Sequence, residues 1–267
     1  MLKRTLTGVV CAAILVAFMF TPAKWVWWAL LIACTTGALE MLDALEYAGR
    51  YPARFSVYVA AAAAMPLALV LHNDAAAILP IIIIAGSMLT LFTRKRASLE
   101  DVAAPLYIAF STIIPAVLLM LADETPNVGR LLLFISFTIP LLGDTFALFV
   151  GRTFGRHKLT ALSPNKTVEG ALSGLVGSVV GAVLFGYVVG GRVFNLPIAP
   201  LWHFIALGIA GGILGQLGDL SSSLIKRQTG IKDFGALFPG HGGIMDRLDS
   251  VLFAAYAVYV YSRIIIR

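Results

Sequence analysis

Between Asp219 and Asp249 the chain sets carboxylates, cations and a glycine turn close together: Asp219, Lys226, Arg227, Lys232, then Pro239-Gly240-His241-Gly242-Gly243, then Asp246-Arg247-Leu248-Asp249. This mixture suits a metal-bound polyphosphate. Carboxylate oxygens hold hard cations, Lys and Arg neutralise phosphate, and a glycine turn presents several backbone N–H groups to one anion. No Gly-Lys-Ser/Thr closes the turn, so it is not a Walker A loop. Asp246 and Asp249 are three apart, which places them on one face near a helix start with Arg247 pointing elsewhere. Acids there also serve as plain helix-dipole partners. On spacing alone the two readings stand level, and the neighbouring cations favour the first.

Asp144 and Asp219 lie within apolar runs, each about seven residues before a cation-bearing loop that opens at Gly151 or Lys226. At 1.5 Å per residue both sit about 10 Å below the same surface. An ionised Asp inside a membrane helix costs about 2.5–3.5 kcal/mol, so two at matched depth call for compensation. A divalent cation provides it. Protonation, or pairing with Lys so that the acids hold helices together, is the alternative. Between these acids runs Gly151-Arg152-Thr153-Phe154-Gly155-Arg156-His157-Lys158, followed by Ser163-Pro164-Asn165-Lys166-Thr167. Ser163 or Thr167 caps the next helix. Arg152, Arg156, Lys158 and Lys166 face anionic headgroups or a nucleotide, or simply anchor topology. Of His72, His157, His203 and His241, only His241 has suggestive neighbours. Glu40, Asp43 and Glu46 read as helix-end charges first and as substrate-cavity lining second.

The elements that must position these residues are membrane helices. Of 267 residues, 59% are hydrophobic and 13% charged, and mean hydropathy is +0.90; soluble domains carry about 25% charged residues. Apolar runs near the spanning length of about 17–25 residues fall at 5–21, 24–42, 55–71, 75–92, 101–121, 130–150, 168–190, 199–225 and 249–266. The expected fold is therefore an all-α, polytopic integral membrane protein with about nine transmembrane helices and no sizeable water-soluble domain. It divides into an N-terminal transmembrane region, 1–96, and a catalytic transmembrane region, 97–267, with cytoplasmic loops 151–167 and 226–248.

If the spans alternate, most Lys and Arg fall on the side of the N-terminus, while Lys24, Arg130, Arg192, Arg263 and Arg267 fall opposite. Basic residues gather in the cytoplasm. That places the N-terminus inside, the C-terminus outside, and the site on the cytoplasmic face of the cell inner membrane. The net charge of +6 then reflects topology and anionic lipid, and nucleic acid is not implied. Cys11 and Cys34 fit no zinc or disulfide framework. The run after Lys3-Arg4 is read as a span rather than a cleaved signal, because similar runs follow at once. Glycines recur at helical spacing (Gly170, Gly174, Gly177, Gly181; Gly208, Gly211, Gly212, Gly215, Gly218), for close packing within the chain first and a homodimer seam second.

Ser223-x-Ile225-Lys226-Arg227, Lys232-Asp233 and Pro239-x-His241-Gly242-Gly243-x-x-Asp246-Arg247-x-Asp249 resemble the signature of the phosphatidate cytidylyltransferases (CDP-diacylglycerol synthases). Asp144 to Lys158 and Ser163 to Gly170 resemble that family's second region, with Val168 where an aromatic residue is familiar. The resemblance covers about 140 to 250. It implies that CTP and phosphatidate give CDP-diacylglycerol and pyrophosphate at a membrane, with Mg²⁺ required and a second cation left open. Asp219 and Asp246 would hold Mg²⁺, with Asp144 and Asp249 as further metal or support residues. Lys226, Arg227 and Arg247 would neutralise the leaving pyrophosphate, acting with Asp246 as the catalytic set. Lys166, Lys232, Gly240, His241, Gly242 and Gly243 would bind the nucleotide. The rival readings are a CTP-dependent lipid kinase and, further off, a cation-coupled transporter using the buried acids, which has no need of the cation–glycine loop.

Overall fold

A computed structural model describes residues 13–14, 16–18, 20–50, 52, 54–71, 74–89, 99–121, 126–160, 163–192, 199–238, 240 and 242–265. His241, His72, Cys11, Arg94–Arg96 and most of the run 5–21 lie outside the described residues. Among those described, regular secondary structure is helical, with two isolated β-bridges, Lys158 to Thr167 and Phe238 to Gly242.

The apolar runs become α1 (Ala23–Tyr47), α2 (Phe55–Leu71), α3 (Ala75–Met88), α4 (Leu99–Leu121), α5 (Pro126–Phe154), α6 (Val168–Val183), α7 (Leu201–Thr229) and α8 (Met245–Ile265). α6 continues through a π-helical stretch, Leu184–Val189, into Gly190–Arg192. Among the described residues, five segments are long and apolar enough to cross a bilayer: Lys24–Tyr47, Val102–Met120, Val128–Phe154, Val168–Arg192 and Leu201–Thr229. Phe55–Leu71 and Ile78–Met88 are shorter apolar helices. The chain is an integral membrane protein. Prolines interrupt α2, α3, α4 and α5 at Pro66, Pro80, Pro105, Pro115 and Pro140, which membrane helices tolerate when neighbours satisfy the freed carbonyls.

Several boundaries move relative to the hydropathy reading, among them the ends of α1 and α7, which bear on the site. α1 runs past 42 to Tyr47, because its acids have partners. Arg54 donates to Glu46 at 2.8 and 2.7 Å and to Asp43 at 2.5 Å, and these bonds, Glu46 first, push the guanidinium pKa up. α7 runs on to Thr229, so Lys226 and Arg227 occupy its last turn, where cations suit the negative end of the helix dipole.

The chain forms two compact units, Met1–Leu121 with Lys226–Leu248, and Ala122–Ile225 with Asp249–Arg267. In the first, α1 to α4 pack around Met41, Leu42, Leu79, Ile83, Ile108 and Ile113, all fully buried. In the second, α5 and α6 lie so close that a Cβ at Gly177 would meet the Leu142 carbonyl and one at Gly181 the Thr138 carbonyl. Gly208 and Gly212 of α7 likewise abut Val179 and Ser178 of α6. These glycines are taken up by packing within the chain.

Candidate active site

In the second unit, α5 carries Asp144, α7 carries Gln216 and Asp219, and the segment 155–167 folds back between α5 and α6. Its described arms, 155–160 and 163–167, pair as a hairpin: the Leu159 N–H donates to the Lys166 carbonyl at 3.0 Å and the Val168 N–H to the His157 carbonyl at 2.9 Å. Glu169 clamps its near strand, accepting the N–H groups of Arg156 and His157 at 3.2 and 3.3 Å and pairing with His157 Nδ1 at 2.6 Å. Of the two expected caps, Thr167 serves: its hydroxyl accepts the Gly170 N–H at 3.1 Å. A Cβ at Gly155 would strike the Gly151 carbonyl and the Thr167 side chain, so the turn out of α5 closes only with glycine there.

This hairpin aims Lys166 at Asp219, and the two form an ion pair with side chains 28% and 27% exposed. Both line a cavity of about 670 Å³ together with Asp144, Arg152, Ser163, Asn165 and Gln216, floored by Leu148, Leu159 and Leu220. Polar groups converging over apolar walls are what a nucleotide or lipid headgroup needs. Arg156 and Lys158 are exposed beside it.

In the first unit the end of α7, the loop 230–244 and the start of α8 form a second cluster. Gly230, with φ +73°, ends α7, and the Ile231 N–H returns to the Lys226 carbonyl at 3.0 Å, a left-handed helix stop that suits glycine. Lys226 Nζ donates to Asp246 Oδ1 at 2.8 Å. The N–H groups of Phe234 and Gly243 donate to Asp246 Oδ2 at 2.8 and 2.9 Å, and Lys226 lies 5.2 Å from the Phe234 ring centre. The Asp246 side chain is only 3% exposed. The glycine turn is held by a Phe238 N–H to Gly242 carbonyl bond of 2.9 Å, with φ of +79° at Gly240 and +83° at Gly242. Arg227, Lys232, Gly240 and Arg247 are exposed around it.

Asp219 and Asp246 are thus each lysine-paired; for Asp219 that is the alternative the sequence leaves open, whereas for Asp246 the alternative was a helix-dipole partner. Asp249 belongs to the second unit; it is buried and accepts from the Ser250 N–H at 2.7 Å. Among the described residues no three His, Cys, Asp or Glu side chains gather as a metal cage. The donors present are still those of a hard divalent cation that keeps waters and binds through one or two carboxylates plus substrate phosphates. Asp144 and Asp219 offer such oxygens to the cavity. Asp246 already accepts one bond at Oδ1 and two at Oδ2, so an ion there would compete with Lys226 and the backbone N–H groups.

For Glu40, read from sequence as a helix-end charge first and cavity lining second, the structure supplies a partner the sequence did not show: it accepts the Ile244 N–H at 3.0 Å and the Met245 N–H at 2.8 Å. The available signal was an acid just before the end of the apolar run 24–42.

A family model described as the cytidylyltransferase family matches residues 2–265, and the chain belongs to that family. Among its curated relatives, phosphatidate cytidylyltransferase 4, chloroplastic, of Arabidopsis thaliana is 41% identical over 135 residues, 51% of this chain and 33% of the relative. The phosphatidate cytidylyltransferases of Staphylococcus saprophyticus and Staphylococcus aureus are 38% and 36% identical over 165 residues, 61% of this chain and 60% of each relative. The matched stretch therefore spans a third of the plant protein and three fifths of the bacterial ones.

Proposed function

We propose that the chain transfers the cytidylyl group of CTP to phosphatidate, releasing pyrophosphate and leaving CDP-diacylglycerol in the membrane. The observation that carries this reading is a family match over residues 2–265 in a chain whose carboxylate–lysine cavity of about 670 Å³ is built on membrane helices. A phosphatidate oxygen attacks the α-phosphorus, and the bond to the bridging oxygen of the β-phosphate breaks as pyrophosphate departs. Phosphatidate is ionised near neutrality, so the step asks for positioning and charge neutralisation more than for a general base.

In this reading Lys166 and Arg152 hold nucleotide phosphates at the cavity. Lys226, Arg227 and Arg247 receive the developing charge of the leaving group, with Lys232 and the turn Gly240 to Gly243 as further phosphate contacts. Asp219, in one unit, and Asp246, in the other, are each proposed as Mg²⁺ ligands, with Asp144 and Asp249 as further metal or support residues. When bound, the ion supplies Lewis-acid charge neutralisation of the phosphates. The cytoplasmic face of the inner membrane, about nine spans and a cytoplasmic N-terminus complete the reading. With the α6 and α7 glycines occupied internally, a homodimer would have to use another face.

Labelled nucleotide in detergent micelles tests it. The α-phosphate of CTP should enter lipid while the γ-phosphate leaves in pyrophosphate. Label from the γ position in lipid would instead establish the CTP-dependent lipid kinase.

A further inference from the structure

The first turn of α8 opens with N–H groups that have no partner within the helix. Two of them, from Ile244 and Met245, are taken one each by the two carboxylate oxygens of Glu40, at 3.0 and 2.8 Å, across more than 200 residues of sequence. The preceding N–H, that of Gly243, goes to Asp246 Oδ2 at 2.9 Å. Three successive amides are thus held by two carboxylates, one brought from α1 and one from the metal and phosphate machinery itself. Hydrogen bonds to an ionised acceptor are about twice as strong as neutral ones, and a negative charge at this helix end is favoured by the dipole.

The loop is shaped around that carboxylate. A Cβ on Gly235 would come to 2.5 Å from Glu40 Oε1, and one on Gly243 would overlap the same carboxyl group. One turn earlier on α1, Gly37 lies against Met245, bringing the helix close enough for Glu40 to reach. Asp43 and Glu46, on the same helix, are held by Arg54.

We infer that Glu40 is a positioning residue: its carboxylate anchors the start of α8 and the glycine turn, and so fixes where Asp246 and Lys226 stand. Asp246 is one residue beyond the anchored Met245, and its own carboxylate closes the same turn. Releasing the anchor lets that turn shift as a unit. A displacement of about 1 Å in a reacting constellation costs on the order of 10²-fold in rate.

The test uses the full chain in detergent, with two readouts. Glu40→Ala should lower kcat for CTP:phosphatidate turnover about 100-fold while the KM for phosphatidate stays within about twofold. Glu40→Gln keeps one neutral acceptor and should recover about a tenth of wild-type kcat. Asp43→Asn should match wild type. Amide exchange at Gly243 to Met245 should quicken in Glu40→Ala while α2 and α4 keep their protection. Wild-type kcat in Glu40→Ala overturns the inference. So does exchange that quickens equally throughout α1 to α4, which would mark general unfolding. The kinetic arm rests on the cytidylyltransferase reading, whereas the exchange arm does not. If the wild type itself labels no lipid from α-labelled CTP, that reading fails and the exchange result alone decides the anchor.

Discussion

Lys226 and Asp246 form a pair that water barely reaches, with side chains 16% and 3% exposed. Removing one partner from such a pair costs about 3–5 kcal/mol, chiefly because the other charge is left buried and unmatched. Lys226→Ala is therefore expected to lower the unfolding midpoint strongly, and Lys226→Ala/Asp246→Ala to lose less than the two single variants added together. Thermal unfolding of the four proteins measures that coupling. Under conditions where Lys226→Ala stays folded, its KM for CTP should rise more than its KM for phosphatidate. Asp219 differs, since it is partly exposed on a cavity wall beside Lys166. Asp219→Asn should leave folding nearly unchanged and cut kcat on the order of 10²–10³-fold. Turnover with α-labelled CTP, read beside elution as a single species, checks both halves. A wild-type rate removes Asp219 from the machinery.

α5 and α6 are held together by backbone proximity rather than by large side chains, and this makes their contact sensitive to single methyl groups. A Cβ at Gly177 is aimed at the Leu142 carbonyl and the Phe146 side chain, and overpacking a tight contact costs about 1–3 kcal/mol. Gly177→Ala should lower the unfolding midpoint accordingly. The hairpin 155–167 depends on the cap at the other end of α6. Thr167→Ala removes the acceptor of the Gly170 N–H and should cost about 1 kcal/mol. Because Lys166 immediately precedes that cap, the same variant should also raise the KM for CTP. Unchanged stability would show that the Thr167 hydroxyl does not hold the helix start.

For the whole molecule the matter is which solvent each end meets. If the spans alternate, fifteen of the twenty Lys and Arg fall on one side, among them all eight in the loops that carry the cavity and the glycine turn. In the proposed orientation, the positive-inside rule puts these loops in the cytoplasm, where CTP is found. Single cysteines placed at Arg156 and at Lys232 in a cysteine-free background should react with a membrane-impermeant thiol reagent only after the cytoplasmic face is opened. Labelling in intact cells would reverse the orientation.

Hydrophobic run length alone determined where most helices lie, because a bilayer tolerates only helix or closed barrel and sets the length it must have. The run 55–71 became Phe55–Leu71, and 101–121 differs from Leu99–Leu121 by two residues. Residue types likewise marked Asp144, Lys166, Asp219, Lys226 and Asp246 as candidates for the chemistry, since charge beside a membrane demands a reason. The partner of each charge was not legible. Lys166 meets Asp219 across 53 residues, and Glu40 meets the start of α8 across 204. Local spacing carries no term for such contacts. Hydropathy ended α1 at 42 because it counts Asp43 and Glu46 as exposed, whereas Arg54 and the α8 amides satisfy the acids of that helix where they stand. The glycine stripes were compatible with an internal or an external seam, and only the close approach of α6 to α5 and of α7 to α6 and α8 decided between them. Sequence determined which groups must be neutralised; tertiary structure decided what neutralises them, since that depends on which distant backbone and side chains the packed helices bring within hydrogen-bonding range.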